Sequence, residues 1–242
     1  MTDRHARTRL LVGDEGLERL RNAHVAVVGL GGVGGYALEA LARAGVGHLY
    51  LFDADTVESS DLNRQILATE DTLGQAKVDV ARTRVFRINP EAKVEVVRDL
   101  LTPDNIEMLL CDTIAFAIDA IDSVEAKIHL IAACVRRNVA FVSCMGAGGK
   151  LDPTGFKVAD ISQTKGCPLA RAVRQGLRQQ GILHGVRCVY SEEPPKAAQP
   201  DVVEQTKGKH VNGTIAYVPA IAGLIAAGTI IHDVLQGRHS IP

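Results

Sequence analysis

The chain has 242 residues, with 27 Lys and Arg against 28 Asp and Glu, for a net charge of −1. That balance supplies no whole-molecule field to attract a polyanion or an anionic membrane, so any such partner has to be met by local charge. Five cysteines, odd in number and without a Cys-x-x-Cys pair, argue against a disulfide framework or a zinc knuckle and for a reducing, cytoplasmic setting.

The first residues, Met1 to Arg7, contain no apolar run of the kind a secretory signal needs. Residues 1–24 read as a helical arm, with Leu17 and Leu20 spaced to share one face and several arginines ahead of them. The run Val25-Ala-Val-Val28, too β-branched to favour a helix, then enters Gly29, Gly31, Gly32 and Gly34, and a helix-forming stretch follows from Tyr36 to Ala44. Strand, glycine turn and helix together present bare backbone N–H groups and a helix N-terminus to a phosphate. A second apolar run, Leu49 to Phe52, ends at Asp53, nineteen residues beyond Gly34, where a ribose-binding carboxylate is expected. These features predict a nucleotide site but leave dinucleotide and ATP users equally open.

Residues 53–65 are polar and aperiodic and read as a loop at the carboxyl edge of the second strand. Thr72-Leu-Gly-Gln75 fits a capping box at the start of a helix running towards Arg87, with Lys77 in its first turn. The helix dipole disfavours a cation there by a few tenths of a kcal/mol, unless a phosphate is nearby; otherwise Lys77 would reach out to solvent. Lys93 to Val97 alternates as a strand, Thr102-Pro103 opens a short helix to Leu110, and Thr113 to Ile118 delivers Asp119 and Asp122. Ser123 can cap the next helix, and Ala140 to Val142 leads into a glycine loop at Gly146. The alternation predicts an α/β fold: a doubly wound, mainly parallel, Rossmann-like sheet with helices on both faces.

Beyond Lys150 the pattern changes. Residues 165–190 carry Lys165, Arg171, Arg174, Arg178 and Arg187 and no acid, with Arg171, Arg174 and Arg178 at helical spacing. A solvated face and a nucleic-acid contact both fit them. Ser191 to Pro200 reads as a Pro-rich linker. Ile215 to Ile231 carries no charge and is just long enough to graze the limit for a membrane span, but its Gly, Ala and Pro suit a tightly packed buried helix. We expect one domain over residues 1–242, with a nucleotide-binding core at 1–150 and a substrate-facing extension and closing helix at 151–242.

Arg64, Lys77 and Asp122 discriminate among nucleotide users. Hydride transfer wants little positive charge near its cofactor, whereas activating a carboxylate with ATP wants cations over the phosphates and an acid for Mg²⁺. The runs Gly29-Leu-Gly-Gly-Val-Gly34, Asp53-Ala-Asp-Thr-Val57, Asp61-Leu-Asn-Arg-Gln65, Gly74-Gln-Ala-Lys77 and Asp119-Ala-Ile-Asp122 resemble, in order, the motifs of the ubiquitin-activating-enzyme-like adenylyltransferases. The resemblance implies ATP bound by Gly29, Gly31, Gly32, Gly34, Asp53, Asp55, Asn63, Arg64, Gln65 and Lys77. It gives Arg64 and Lys77 the phosphates and Asp122 the Mg²⁺. Arg4 to Arg7 is similar to an N-terminal motif of these enzymes, which would make Arg7 catalytic in trans across a homodimer.

In the second half, Asp160 to Leu169, the basic helix and Gly185 to Glu192 resemble the bacterial tRNA threonylcarbamoyladenosine dehydratase branch. That implies ATP-dependent activation of the carboxylate on adenosine 37 of tRNA, closure to the cyclic form, and tRNA contacts by Arg171, Arg174 and Arg178. Cys188 matches a cysteine of that branch and is a candidate functional thiol, and a cysteine desulfurase or sulfur-carrier protein a candidate partner. The alternative is an adenylyltransferase for the C-terminal glycine of a ubiquitin-like sulfur carrier. No membrane partner is expected.

Overall fold

A computed structural model describes residues 3–106, 110–196 and 213–238. Its elements, in chain order, are α1 (Ala6–Arg21), β1 (His24–Val28), α2 (Gly34–Ala44), β2 (His48–Phe52), α3 (Lys77–Ile88), β3 (Lys93–Val97) and β4 (Phe116–Asp119). They continue with α4 (Val124–Arg136), β5 (Ala140–Cys144), β6 (Phe156–Asp160), α5 (Pro168–Gln179), β7 (Arg187–Ser191) and α6 (Tyr217–Gln236). The seven strands form one sheet in the order β3-β2-β1-β4-β5-β7-β6, parallel throughout except for β6, which runs antiparallel to β7.

The two faces of the sheet carry separate cores, as period-two alternation requires. Val25 and Val27 of β1 face Leu38 and Leu41 of α2, Val78 and Val85 of α3, and Ala226 and Ile230 of α6. Ala26 and Val28 face Leu130 and Ile131 of α4 and Val173 and Leu177 of α5. The expected doubly wound α/β sheet with helices on both faces is what forms, and the chain beyond Lys150 contributes β6 and β7 to that same sheet.

The uncharged run 215–231 becomes α6, and its small residues explain its place. A Cβ on Gly223 would lie 2.1 Å from the Val33 carbonyl oxygen, so α6 crosses the start of α2 at a distance only glycine allows. The helix is long and apolar enough to span a bilayer, but about half of it is buried against α2 and the sheet. Near its end Asp233 is buried and receives both terminal nitrogens of Arg187 on β7, one at 3.2 Å. Arg187 is therefore not part of an exposed basic surface.

Some local expectations need correcting. The Thr72–Gln75 capping box does not open α3: Thr72 ends a 3₁₀ turn, Glu70–Thr72, where it pairs reciprocally with Thr69. Helix α3 begins at Lys77 behind Ala76, because Thr56 and Ala76 form a β-bridge and Lys77 N–H donates to the Asp55 carbonyl at 3.0 Å. The N-terminal helix is broken at Gly13 (φ 72°), so Leu17 and Leu20 are buried while Leu10 and Leu11 are 90% and 86% exposed. The Pro-rich stretch begins later than Ser191, which is the buried last residue of β7; its end (197–200) and part of the short helix to Leu110 (107–109) lie outside the described residues.

At the amino ends of β1 and β2 the His24 and His48 rings stack with centroids 3.9 Å apart, and His24 Nδ1 meets the Tyr50 hydroxyl at 2.9 Å. Burial, then the neighbouring Lys93, pushes the His24 pKa below its ordinary 6.5; His48 is lowered by burial, His24 and Lys93, with Glu95 opposing in both cases. The folded state therefore binds fewer protons than the unfolded chain, so stability is full above about pH 6.5 and falls as the pH drops through the depressed folded values. Urea melts are expected to show a lower midpoint at pH 5 than at pH 7.5, and His48→Asn should flatten that slope. An unchanged slope would place the acid sensitivity elsewhere.

Candidate functional site

In a parallel sheet the carboxyl ends of β1, β2 and β4 share one edge. The order β2-β1-β4 makes the gap beside β1 the point where successive connections leave in opposite directions, and ligands bind there in open α/β sheets. Gly29 to Gly34, Asp53 and Asp119 to Asp122 all emerge at this edge.

The glycines have different jobs. Gly29 takes φ 89°, and a Cβ on it would stand 2.8 Å from the Ala120 carbonyl oxygen; one on Gly34 would lie 1.7 Å from the Gly29 oxygen. Those two are required by the tight turn itself. A Cβ on Gly31 would meet nothing nearer than Gln65 Nε2 at 3.7 Å, and one on Gly32 would touch Pro219 at 3.2 Å and the Arg64 Cγ at 3.4 Å. The turn thus presents bare backbone beneath the Arg64 stem and the start of α6.

Asp53 latches this turn: one carboxylate oxygen accepts from Leu30 N–H at 2.6 Å and the other from Asp55 N–H at 2.8 Å. Burial raises its pKa, and the bonds from Leu30 and Asp55 pull against that rise. Each oxygen keeps a second lone pair that could take a ribose hydroxyl.

Opposite the turn, buried Asp61 gathers the polar groups of the 55–65 loop. One oxygen accepts from Gln65 Nε2 at 2.5 Å and from Arg64 at 3.4 Å; the other takes Glu58 N–H at 3.1 Å. Lys77, 6% exposed, places its ammonium 3.2 Å from Asp55 and 3.7 Å from Asp61, so it does not reach out to solvent. Arg64 also donates to the Ser60 carbonyl at 2.7 Å and Asn63 Oδ1 at 2.8 Å. Asn63 in turn donates to the Thr214 carbonyl at 3.0 Å, tying the loop to the chain leading into α6. Asp61 was legible only as a letter inside a motif; its spacing of three from Arg64 and four from Gln65 was the available signal.

Asp122 is exposed just past β4. Asp119 is buried and committed to Lys127, Ser143 and Ile121, which leaves Asp122 as the open acid of the pair. Among the described residues no group of three or more His, Cys, Asp or Glu side chains could hold a metal ion.

Several candidates sit elsewhere. Arg7 is exposed at the opposite end of the sheet, where His5 packs on Gly45 and Arg4 donates to the Ile88 carbonyl at 3.2 Å. A cavity of about 460 Å³ also lies at that end, between α1 and the starts of β1 and β4. Arg171 and Arg178 are exposed on α5, but Arg174 is not part of a free basic face: it donates to the carbonyls of Ile161 and Thr164 and to Thr164 Oγ1 at 2.6 Å. Cys188 is completely buried in β7, and burial pushes its thiol far up, so a reactive thiolate there is corrected to a small apolar core residue. Gly149, in the loop after β5, donates to the Gly213 carbonyl and accepts from Lys196 N–H, both at 2.7 Å.

A glycine turn latched by the carboxylate that follows the second strand, with the Arg64 stem lying over it, has the form of a nucleotide-binding α/β site. Comparison with known proteins makes this specific: the chain belongs to the ThiF family, whose model matches residues 2–241. It is 41% identical over 244 residues to the tRNA threonylcarbamoyladenosine dehydratase of Bacillus subtilis, covering 98% of this chain and 96% of that one. The crystal structure of the Escherichia coli tRNA N6-threonylcarbamoyladenosine dehydratase in complex with ATP superposes with a TM-score of 0.87 at 38% identity, over 97% of this chain and 94% of that one. The molybdopterin-synthase adenylyltransferase of Salmonella typhimurium is 42% identical, but over 129 residues, 53% of this chain and 51% of the relative.

Proposed function

We propose that this chain is an ATP-dependent tRNA threonylcarbamoyladenosine dehydratase that activates the carboxylate of the modified adenosine 37 and closes it to the cyclic form. The observation that carries this reading is extent. Likeness to the dehydratases runs through both halves of the chain, whereas likeness to the molybdopterin-synthase adenylyltransferase ends at about half. The alternative, adenylation of a ubiquitin-like sulfur carrier, rests on a likeness over 53% of the chain. A sulfur-carrier or cysteine desulfurase partner would also find Cys188 buried.

The chemistry asks for what this edge of the sheet offers. A carboxylate oxygen attacks the α-phosphorus of ATP as the bond to pyrophosphate breaks, so negative charge moves onto the leaving group. Lys77 and Arg64 would stabilise that charge, and Asp53 would orient the ribose beside Asp55, Asn63 and Gln65. Mg²⁺ held by Asp122 would neutralise further phosphate charge. A carbamoyl nitrogen or oxygen then attacks the activated acyl carbon intramolecularly, AMP departs with the former carboxylate oxygen, and the net change is loss of water.

Arg7 cannot belong to its own glycine turn if α1 stays anchored at the far end of the sheet, which supports a homodimer in which Arg7 reaches the partner's nucleotide. The exposed Leu10 and Leu11 beside it are apolar surface of the kind such an interface covers. On α5, exposed Arg171 and Arg178 are the side chains we assign to tRNA phosphates. Residues 1–242 are read as one domain, because β6, β7 and α6 complete the sheet and core begun by residues 1–150; a cytoplasmic setting accords with five cysteines that form no disulfide with one another.

The test is to incubate the purified chain with Mg·ATP and tRNA carrying threonylcarbamoyladenosine. The modified nucleoside is expected to lose the mass of one water, with AMP and pyrophosphate formed in equal amounts. An unchanged nucleoside, together with ATP–pyrophosphate exchange driven by a small sulfur-carrier protein, would move the assignment to the alternative.

A further inference from the structure

Beneath the candidate site lies an ion pair that the reaction does not touch. Lys127, on the first turns of α4, is 0% exposed and donates to Asp119 at 2.8 Å and to the Cys144 carbonyl at 3.0 Å. Asp119, 1% exposed at the end of β4, accepts on the same oxygen from Ser143 Oγ at 2.5 Å. Burying two charges is seldom the most stable solution, since well-packed apolar residues of similar volume commonly do as well or better. Such a pair fixes geometry, and here the geometry is that of one turn.

The second oxygen of Asp119 accepts from Ile121 N–H at 3.2 Å, which curls the backbone immediately before Asp122. On the other side of the same turn, Ala120 N–H donates to the Val28 carbonyl at 2.8 Å, and the Ala120 carbonyl abuts Gly29 so closely that a Cβ there would sit 2.8 Å away. The turn is thus pressed against the glycine cradle from above and pinned to the exit of β5 from below, with Asp122 as the next residue out. We propose that Lys127, acting through Asp119, is a positioning residue that fixes Asp122 beside the glycine turn for a divalent cation on the nucleotide. This rests on the reading above that Asp122 holds that cation.

The probe is Mn²⁺, whose affinity for the protein bound to a non-hydrolysable ATP analogue is measured by electron paramagnetic resonance. Asp119→Asn keeps an acceptor for Ile121 N–H but loses the charge that anchors it to Lys127. It is expected to weaken Mn²⁺ binding about tenfold, the low end of the effect of groups that orient a metal ligand. Analogue affinity in the absence of metal should remain as in the parent. Ser143→Ala, which removes one neutral donor and is the milder variant should Asp119→Asn fail to fold, is expected to give a smaller weakening of the same kind. Asp122→Asn serves as the reference. If it weakens Mn²⁺ binding while Asp119→Asn and Ser143→Ala, both folded, do not, the inference is overturned and the reading of Asp122 stands. If Asp122→Asn leaves Mn²⁺ binding unchanged, that reading falls and the inference with it. Parallel loss of metal-free nucleotide binding and thermal stability would reduce the pair to a structural role and overturn the inference.

Discussion

Lys77→Met is expected to slow pyrophosphate release about 10²–10³-fold, the loss typical of removing one preorganised donor from developing charge. The chain should still fold, because Asp61 keeps its bonds from Glu58 N–H, Gln65 and Arg64, and Asp55 is exposed. The position carries one structural penalty for a lysine: it is the first residue of α3, where the dipole disfavours a cation by roughly 0.3–1 kcal/mol. Its ammonium lies 3.2 Å from Asp55 and 3.7 Å from buried Asp61, which offsets that penalty, so Lys77→Met is expected to cost some stability while Arg64 still pairs with Asp61. A quenched-flow comparison of the two proteins, with thermal melts as the control for folding, decides the point. Pyrophosphate release at the parent rate would remove Lys77 from the phosphates and with it the adenylation reading.

What the sequence disclosed of this site follows from where one-dimensional patterns are unambiguous. The β1–glycine–α2 unit was readable almost to the residue, because the hydrophobic period changes across four glycines and the tight turn admits no side chain at Gly29 or Gly34. Asp53 was placed by distance along the chain, and its bond to Leu30 N–H shows why that distance matters: the second strand ends level with the turn of the first. The α3 start is ambiguous in the sequence because the same three-residue spacing occurs twice, Thr69 to Thr72 and Thr72 to Gln75, and only tertiary pairing of Thr56 with Ala76 decides which is used. Arg174 shares its helical spacing with Arg171 and Arg178, yet points back to the carbonyls that close the 3₁₀ turn Ile161–Gln163; spacing alone does not distinguish a surface arginine from one that satisfies buried carbonyls. Lys127 carried no signal at all. It stands among apolar residues of an amphipathic helix, eight positions beyond its partner, and its burial depends on where α4 lands on β4 and β5.

Gly34→Ala and Gly31→Ala should fail differently, and the contrast tests whether the cradle is a fold feature, a ligand site or both. At Gly34 the added methyl would lie 1.7 Å from the Gly29 carbonyl oxygen, a backbone atom that cannot swing aside, so α2 has to retreat from the turn. Overpacking of this kind costs about 1–3 kcal/mol in an ordinary core and more against rigid backbone. Urea unfolding should therefore show a clear loss of stability, and ATP binding should fall with it. At Gly31 the added methyl meets nothing but the Gln65 amide at 3.7 Å, so the apo protein should melt as the parent does. Yet that methyl would occupy the space through which a phosphate approaches the bare N–H groups at the start of α2, and those groups carry the positive end of the helix dipole. Binding of ATP, measured by calorimetry, is expected to weaken by at least tenfold in Gly31→Ala with no change in melting temperature. Parent-like ATP affinity in that variant would mean the triphosphate lies elsewhere, and then Lys77 and Arg64, whose geometry is set around the same turn, would have no phosphate to serve.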